Sequence, residues 1–157
     1  MFGGAWYWEE YQAFLAQRGY ESHAMNLRGH HGSRPVRDIG KVSLGDYVAD
    51  ALEVAAALKN PIVIGHSMGG LIAQKVAEAG KCRATVLIAS APPRWIPSAS
   101  WLLFRKQVKY ARALILSEAL MPDRNDADDL MFNRTPLPIA TNSLRGWWRK
   151  ADTPDCS

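Results

Sequence analysis

The chain has 157 residues, 48% of them hydrophobic and 22% charged, a balance that excludes disordered and fibrous classes and is enough for the core of about one domain. Its net charge of +4 is densest at Arg105, Lys106, Lys109 and Arg112. That run has helical spacing and no nucleic-acid motif beside it, so it reads as a solvated helix face and nucleic acid is not expected as a partner.

The first residues, MFGGAWYWEEYQ, contain neither a basic leader nor an apolar stretch, and no run of roughly 18 apolar residues follows anywhere, so neither an export signal nor a transmembrane segment is expected. Residues 6 to 17 place Trp8, Tyr11, Phe14 and Leu15 at helical spacing, and Gly19 stands where a helix would end in a left-handed residue. YESHAMNL, residues 20 to 27, predicts a short polar strand, and RGHHGSRP after it predicts a turn. Ser43 and Asp46 form a capping-box pattern. From there Leu44, Tyr47, Val48, Ala51, Leu52, Ala55 and Leu58 make one apolar stripe, and Asn60-Pro61 stops the helix. The β-branched run in PIVIG, residues 61 to 65, and ATVLIAS, residues 84 to 90, predict strands buried on both faces.

Helix, strand, tight turn, helix and strand in that order build a parallel sheet, so the fold class is α/β. After APP, residues 91 to 93, the pattern changes: residues 101 to 120 are long and helical, MPDRNDADDLMFNRTPLP reads as loop and short helix, and NSLRGWWRK follows without a convincing strand. The two cysteines, Cys82 and Cys156, form no C-x-x-C pair and have no His at ligand spacing. Neither a disulfide framework nor a metal site is expected, and the expected compartment is the reducing cytoplasm.

Gly65-His66-Ser67-Met68-Gly69 fits G-x-S-x-G and stands between a strand and a helix, the context in which that motif carries chemistry. A strand that turns sharply into a helix forces the serine into a strained conformation, and Gly65 and Gly69 are expected to supply room for it. Gly70 would let the helix lie close on the sheet. The turn aims the Ser67 hydroxyl outward, and the Met68 amide, at the helix N-terminus, points to where an oxyanion would form. His66 is a poor base for its neighbour, because adjacent residues of such a turn point in different directions.

GHSMGG after PIVI resembles the nucleophile elbow of the α/β-hydrolase superfamily, and the likeness runs over roughly residues 3 to 93. GGAWYWEEYQAFLAQRGYESHAMNLRGHHGS is similar to the region after the oxyanion strand of esterase-, lipase- and lysophospholipase-like members, with Asn26 where Asp is common and His31 where Gly is common. SLGDYVADALEVAAAL resembles the helix before the nucleophile strand, and ATVLIASAPP the strand after it.

The resemblance implies a serine hydrolase acting on small acyl esters through Ser67, without a cofactor. Backbone amides of Met68 and of Phe2, in the remnant of the oxyanion loop at residues 1 to 4, would stabilise the oxyanion. It also implies a partial fold, cut at both ends, with a core over residues 1–97 and a helical lid over 98–157 whose Leu102, Leu103, Leu114 and Leu116 face inward. The triad order is Ser, acid, His, yet His23, His30, His31 and His66 all precede Ser67, so the triad acid and base are not in this chain and the chain alone is expected to hydrolyse esters very weakly. Asp123, Asp126, Asp128, Asp129, Asp152 and Asp155 follow Ser67 but have no His to orient. Trp95, Trp101, Phe104, Trp147 and Trp148 fit either packing or contact with an acyl chain. A strand missing from the middle of the sheet would leave exposed edges and favour self-association. The alternative is a non-catalytic remnant that binds an apolar ligand or partner.

Overall fold

A computed structural model describes residues 4–30 and 32–93, all within the first of two units of the chain, Met1–Ser98. Phe2, His31, Cys156, the lid, the later Asp residues and the aromatic residues after residue 93 lie outside the described residues.

The first helix opens as a 3-10 turn, Ala5–Trp8, and continues as α1, Glu9–Ala16. Gly19, at φ +78°, ends it: the Tyr20 N–H donates to Leu15 O (3.1 Å) and the Gly19 N–H to Ala16 O (3.0 Å), which satisfies the last carbonyls in a Schellman arrangement. The apolar stripe of α1 is not buried, however. Tyr11 and Phe14 remain about half exposed, and the Arg18 guanidinium lies 3.5 Å over the Phe14 ring.

Helix α2, Leu44–Ala57, starts on the capping box that its sequence predicts. The Ser43 hydroxyl accepts from the Asp46 N–H (3.2 Å), and the Ser43 N–H donates to Asp46 Oδ2 (2.9 Å). Strand β1, Ile62–His66, follows, then α3, Met68–Glu78, and β2, Ala84–Ile88. A second Schellman arrangement closes α3, with Gly80 at φ +66° and the Lys81 N–H bonded to Val76 O. The two strands pair in parallel, in register from Ile62 with Ala84 to His66 with Ile88, with α3 as the crossover between them. This is the α/β arrangement with flanking helices. The core lies between α2 and α3, where Tyr47, Ala51 and Ala55 meet Ile72 and Val76.

Two expectations need correction. Residues 20 to 27 form no strand, although Met25 and Leu27, two positions apart, both pack against the core. The alternation is genuine, but a strand needs a ladder partner and no described strand runs beside this segment. Nor are β1 and β2 buried on both faces. Val63 and Gly65 turn towards α3, whereas Ile62 (50% exposed), Ile64 (39%) and Val86 (44%) share the opposite face, which no described element covers at those positions. No described helix is long and apolar enough to cross a membrane.

Candidate active site

Ser67 is the hinge between β1 and α3 and is exposed, with φ 53° and ψ −122°. For a residue with a side chain this conformation costs about 1–3 kcal/mol and persists only when its surroundings over-determine it. Here both ends are tied. The Ser67 N–H donates to Ile88 O (3.1 Å), and its carbonyl accepts from the N–H of Gly70 and of Ala91 (2.9 Å each). Ala89, at φ 41°, turns the chain after β2 so that Ala91 returns to the serine. The Ser67 hydroxyl makes no capping bond to α3 and so is not committed to the helix. Met68 begins α3, and a first-turn amide has no acceptor inside its own helix.

The glycines divide by the space around them. A Cβ at Gly65 would overlap the carbonyl of Gly69, and one at Gly70 would collide with Ser90, 2.9 Å from its Cα. Both positions are close backbone approaches, of turn on turn and of helix on the end of β2. Gly69 departs from expectation, because a Cβ there would meet no described atom within 4 Å. It is an ordinary helical position that donates its backbone, not its lack of a side chain, to the fit at Gly65.

The described histidines make contacts with other groups. His66 stacks on Tyr7, with ring centroids 5.4 Å apart and planes at 23°, and burial lowers its pKa below the ordinary 6.5, which keeps it neutral at pH 7. His23 Nε2 lies 3.1 Å from Glu21, and His30 Nδ1 lies 3.1 Å from the Arg28 carbonyl.

Two anchors in the described fold escape a reading of the sequence. Arg28 grips Asp50 of α2 with two parallel bonds, Nε to Oδ2 (2.8 Å) and Nη2 to Oδ1 (2.6 Å), and reaches Asp46 through Nη1 (3.1 Å). Hydrogen bonds from Arg28 hold the Asp50 carboxyl below the usual carboxylate range, although burial opposes them. Arg34 joins Asp50 to Glu53. The available signal was the spacing of Asp46 and Asp50, a like-charge pair one helical turn apart that is unfavourable unless a cation bridges it. The other anchor is Asn26, whose Oδ1 accepts from the Ala5 N–H at 2.7 Å.

A strained serine between a parallel strand and a helix, with its neighbour's amide at the helix start, is the local geometry of a hydrolase elbow. A model of the Alpha/beta hydrolase family matches residues 1–155. The chain belongs to that family. Among curated relatives, this alpha/beta hydrolase chain is 31% identical to a non-heme chloroperoxidase of Burkholderia pyrrocinia over 91% of its own length, and 30% identical to a non-heme haloperoxidase of Rhodococcus erythropolis over 93%. It spans only 55% and 56% of those proteins. Among solved structures it is similar to an extracellular alpha/beta-hydrolase from a Paenibacillus species (TM-score 0.70, 18% identity, 92% of this chain and 61% of that one). It is also similar to tomato methylketone synthase I (TM-score 0.58, 17% identity, 92% and 62%). At these identities the structural likeness speaks for the fold alone.

Proposed function

We propose that the protein hydrolyses small carboxylic esters through Ser67, in the manner of esterase- and lysophospholipase-like members of its family. The observation that supports this reading most is the conformation of Ser67, exposed at φ 53° and tied to β2 and α3 on both sides. Strain of that kind, held by three backbone bonds, presents the hydroxyl outward at the carboxyl end of β1. The oxygen attacks the acyl carbonyl, and the carbonyl oxygen becomes an oxyanion next to the Met68 amide, with the Phe2 amide as second donor. Collapse expels the alcohol and leaves an acyl-serine, which water then hydrolyses. The general base and its acid partner are not among the residues of this chain, since every histidine precedes Ser67. No cofactor enters this reaction, and with two cysteines that form no C-x-x-C pair we read the enzyme as cytoplasmic.

The test is turnover of p-nitrophenyl acetate and butyrate by the protein expressed in its full reading frame, wild type against Ser67→Ala. The variant should lose at least about 10³-fold in kcat, the scale on which triad removal acts. Retention of turnover in Ser67→Ala would refute the assignment. The names of the two relatives support a second reading, halide oxidation as a haloperoxidase, which the same pair of proteins tests in a peroxide-dependent halogenation assay. A non-catalytic role as an apolar-ligand or partner-binding protein is left if neither activity occurs.

A further inference from the structure

The carbonyl of Ser67 accepts from two N–H groups, those of Gly70 in α3 and of Ala91 after β2, and one side chain stands behind both. Gln74, a helical turn beyond Gly70, donates from Nε2 to Gly70 O (3.3 Å) and to Ser90 Oγ (3.2 Å). The Ser90 hydroxyl gives its own hydrogen to Ala91 O (3.1 Å). The atoms themselves dictate these directions. Gly70 O and Ala91 O can only accept, so the carboxamide turns its NH2 towards Gly70, and Ser90 Oγ, its hydrogen committed to Ala91, accepts from Gln74. The bonds close a ring that runs from Ser67 O through Gly70, Gln74, Ser90 and Ala91 back to Ser67 O. That ring clamps a segment in need of support, because Ala89, at φ 41°, holds a conformation that residues with side chains avoid.

We infer that Gln74, acting through Ser90, is a positioning residue that sets the direction of the Met68 N–H. This rests on the nucleophile reading of Ser67 and on the Met68 amide as an oxyanion donor. The Ser67 carbonyl and the Met68 N–H belong to one planar trans peptide unit, in which they point in opposite directions. Whatever fixes the carbonyl therefore aims the N–H. With the ring closed, the peptide is held from α3 and from the end of β2 at once, so the donor is aimed before the oxyanion forms and need not reorganise during the reaction. With Gln74 or Ser90 unable to bond, Ser67 O keeps the Gly70 N–H, but its second partner sits on a loosely held segment. The Met68 amide then spreads over directions that serve the oxyanion less well.

The experiment compares wild type, Gln74→Met, Gln74→Glu, Ser90→Ala, the double variant Gln74→Met with Ser90→Ala, and Ser67→Ala in the full reading frame. It reads hydrogen exchange at the Ala91 amide, thermal unfolding, and kcat and KM on p-nitrophenyl butyrate. Gln74→Met and Ser90→Ala should each speed Ala91 exchange at least about tenfold and lower kcat by about 10–100-fold with KM nearly unchanged, less than the ~10²–10³-fold cost of losing an oxyanion donor outright. Gln74→Glu keeps the shape but presents acceptors to Gly70 O and draws the Ser90 hydrogen away from Ala91 O. It should lose as much as Gln74→Met, which a space-filling role would not produce. Because Gln74 acts through Ser90, the double variant should be no worse than the worse single one. Ser90→Ala keeps the test in force if the Gln74 variants fail to fold. Faster Ala91 exchange with unchanged kcat, a kcat loss without faster exchange, or losses that multiply in the double variant would overturn the proposal while leaving Ser67 as nucleophile. Equal turnover by wild type and Ser67→Ala would mark failure of the nucleophile reading, and this proposal would fall with it.

Discussion

Ser67 holds a conformation that residues with side chains avoid, and the glycines around it show what the turn requires. Gly65→Ala should destabilise most, because its Cβ would have to displace the backbone of Gly69, which cannot rotate away. Gly70→Ala meets Ser90 and should cost about 1–3 kcal/mol, the usual range for overpacking. Gly69→Ala should be neutral or gain up to about 1 kcal/mol, since it replaces a helical glycine whose added Cβ would meet no described atom within 4 Å. Chemical denaturation of the three variants checks the order. His66 sets a pH dependence of its own. Its folded pKa lies below 6.5, so the folded state binds fewer protons than the unfolded state and stability falls as pH drops below 6.5 towards the folded value. His66→Gln should flatten that limb in thermal melts. The G-x-S-x-G spacing made the turn legible because backbone geometry alone dictates it. It did not separate Gly65 from Gly69, since which glycine faces a neighbour depends on the tilt of α3. Nor could it pair Asn26 with Ala5, which are far apart in sequence and meet through a side-chain carbonyl that serves many partners equally well.

Helix α2 shows which elements the sequence could specify. Its capping box and stripe are local, and both are present from Ser43 to Ala55; Ser43→Ala should cost about 1 kcal/mol of stability in a denaturant titration. Residues 20 to 27 have the right alternation but no ladder among the described residues, because strand formation depends on what lies alongside. The Arg28–Asp50 pair links that extended segment to α2 in place of backbone pairing. Both Asp46 and Asp50 have folded pKa values below the ordinary 3.8: hydrogen bonds from Ser43 lower the first, and those from Arg28 lower the second. Their contribution is therefore complete above about pH 4 and is lost as pH falls through the folded values. Asp50→Asn should weaken the acid limb of the stability profile and lower the melting midpoint at pH 7 more than Glu53→Gln does. Glu53, bonded to the exposed Arg34, is 70% exposed, whereas Asp50 is 12% exposed.

At the scale of the molecule, the face of the β1–β2 pair that no described element covers is expected to govern behaviour in solution. Ile62, Ile64 and Val86 lie there together and exposed, while His66, further along the same face, is shielded by Tyr7. Contiguous apolar strand surface of this kind favours association. The isolated 157-residue chain should elute as oligomer or aggregate, and Ile64→Lys should shift it towards monomer. A monomeric wild type at high concentration would contradict this. The reading of both strands as doubly buried rested on β-branched runs, which record what a strand can bury rather than what is there to bury it. The proposed catalysis depends on Ser67 as the nucleophile. The most direct test treats the protein, in its full reading frame, with a fluorophosphonate and maps the adduct by mass spectrometry of tryptic peptides. The peptide from Asn60 to Lys75 contains Ser67 as its single serine, and the account predicts one adduct, on that peptide, abolished in Ser67→Ala. An adduct on a different serine, or none on an otherwise folded protein, would contradict it.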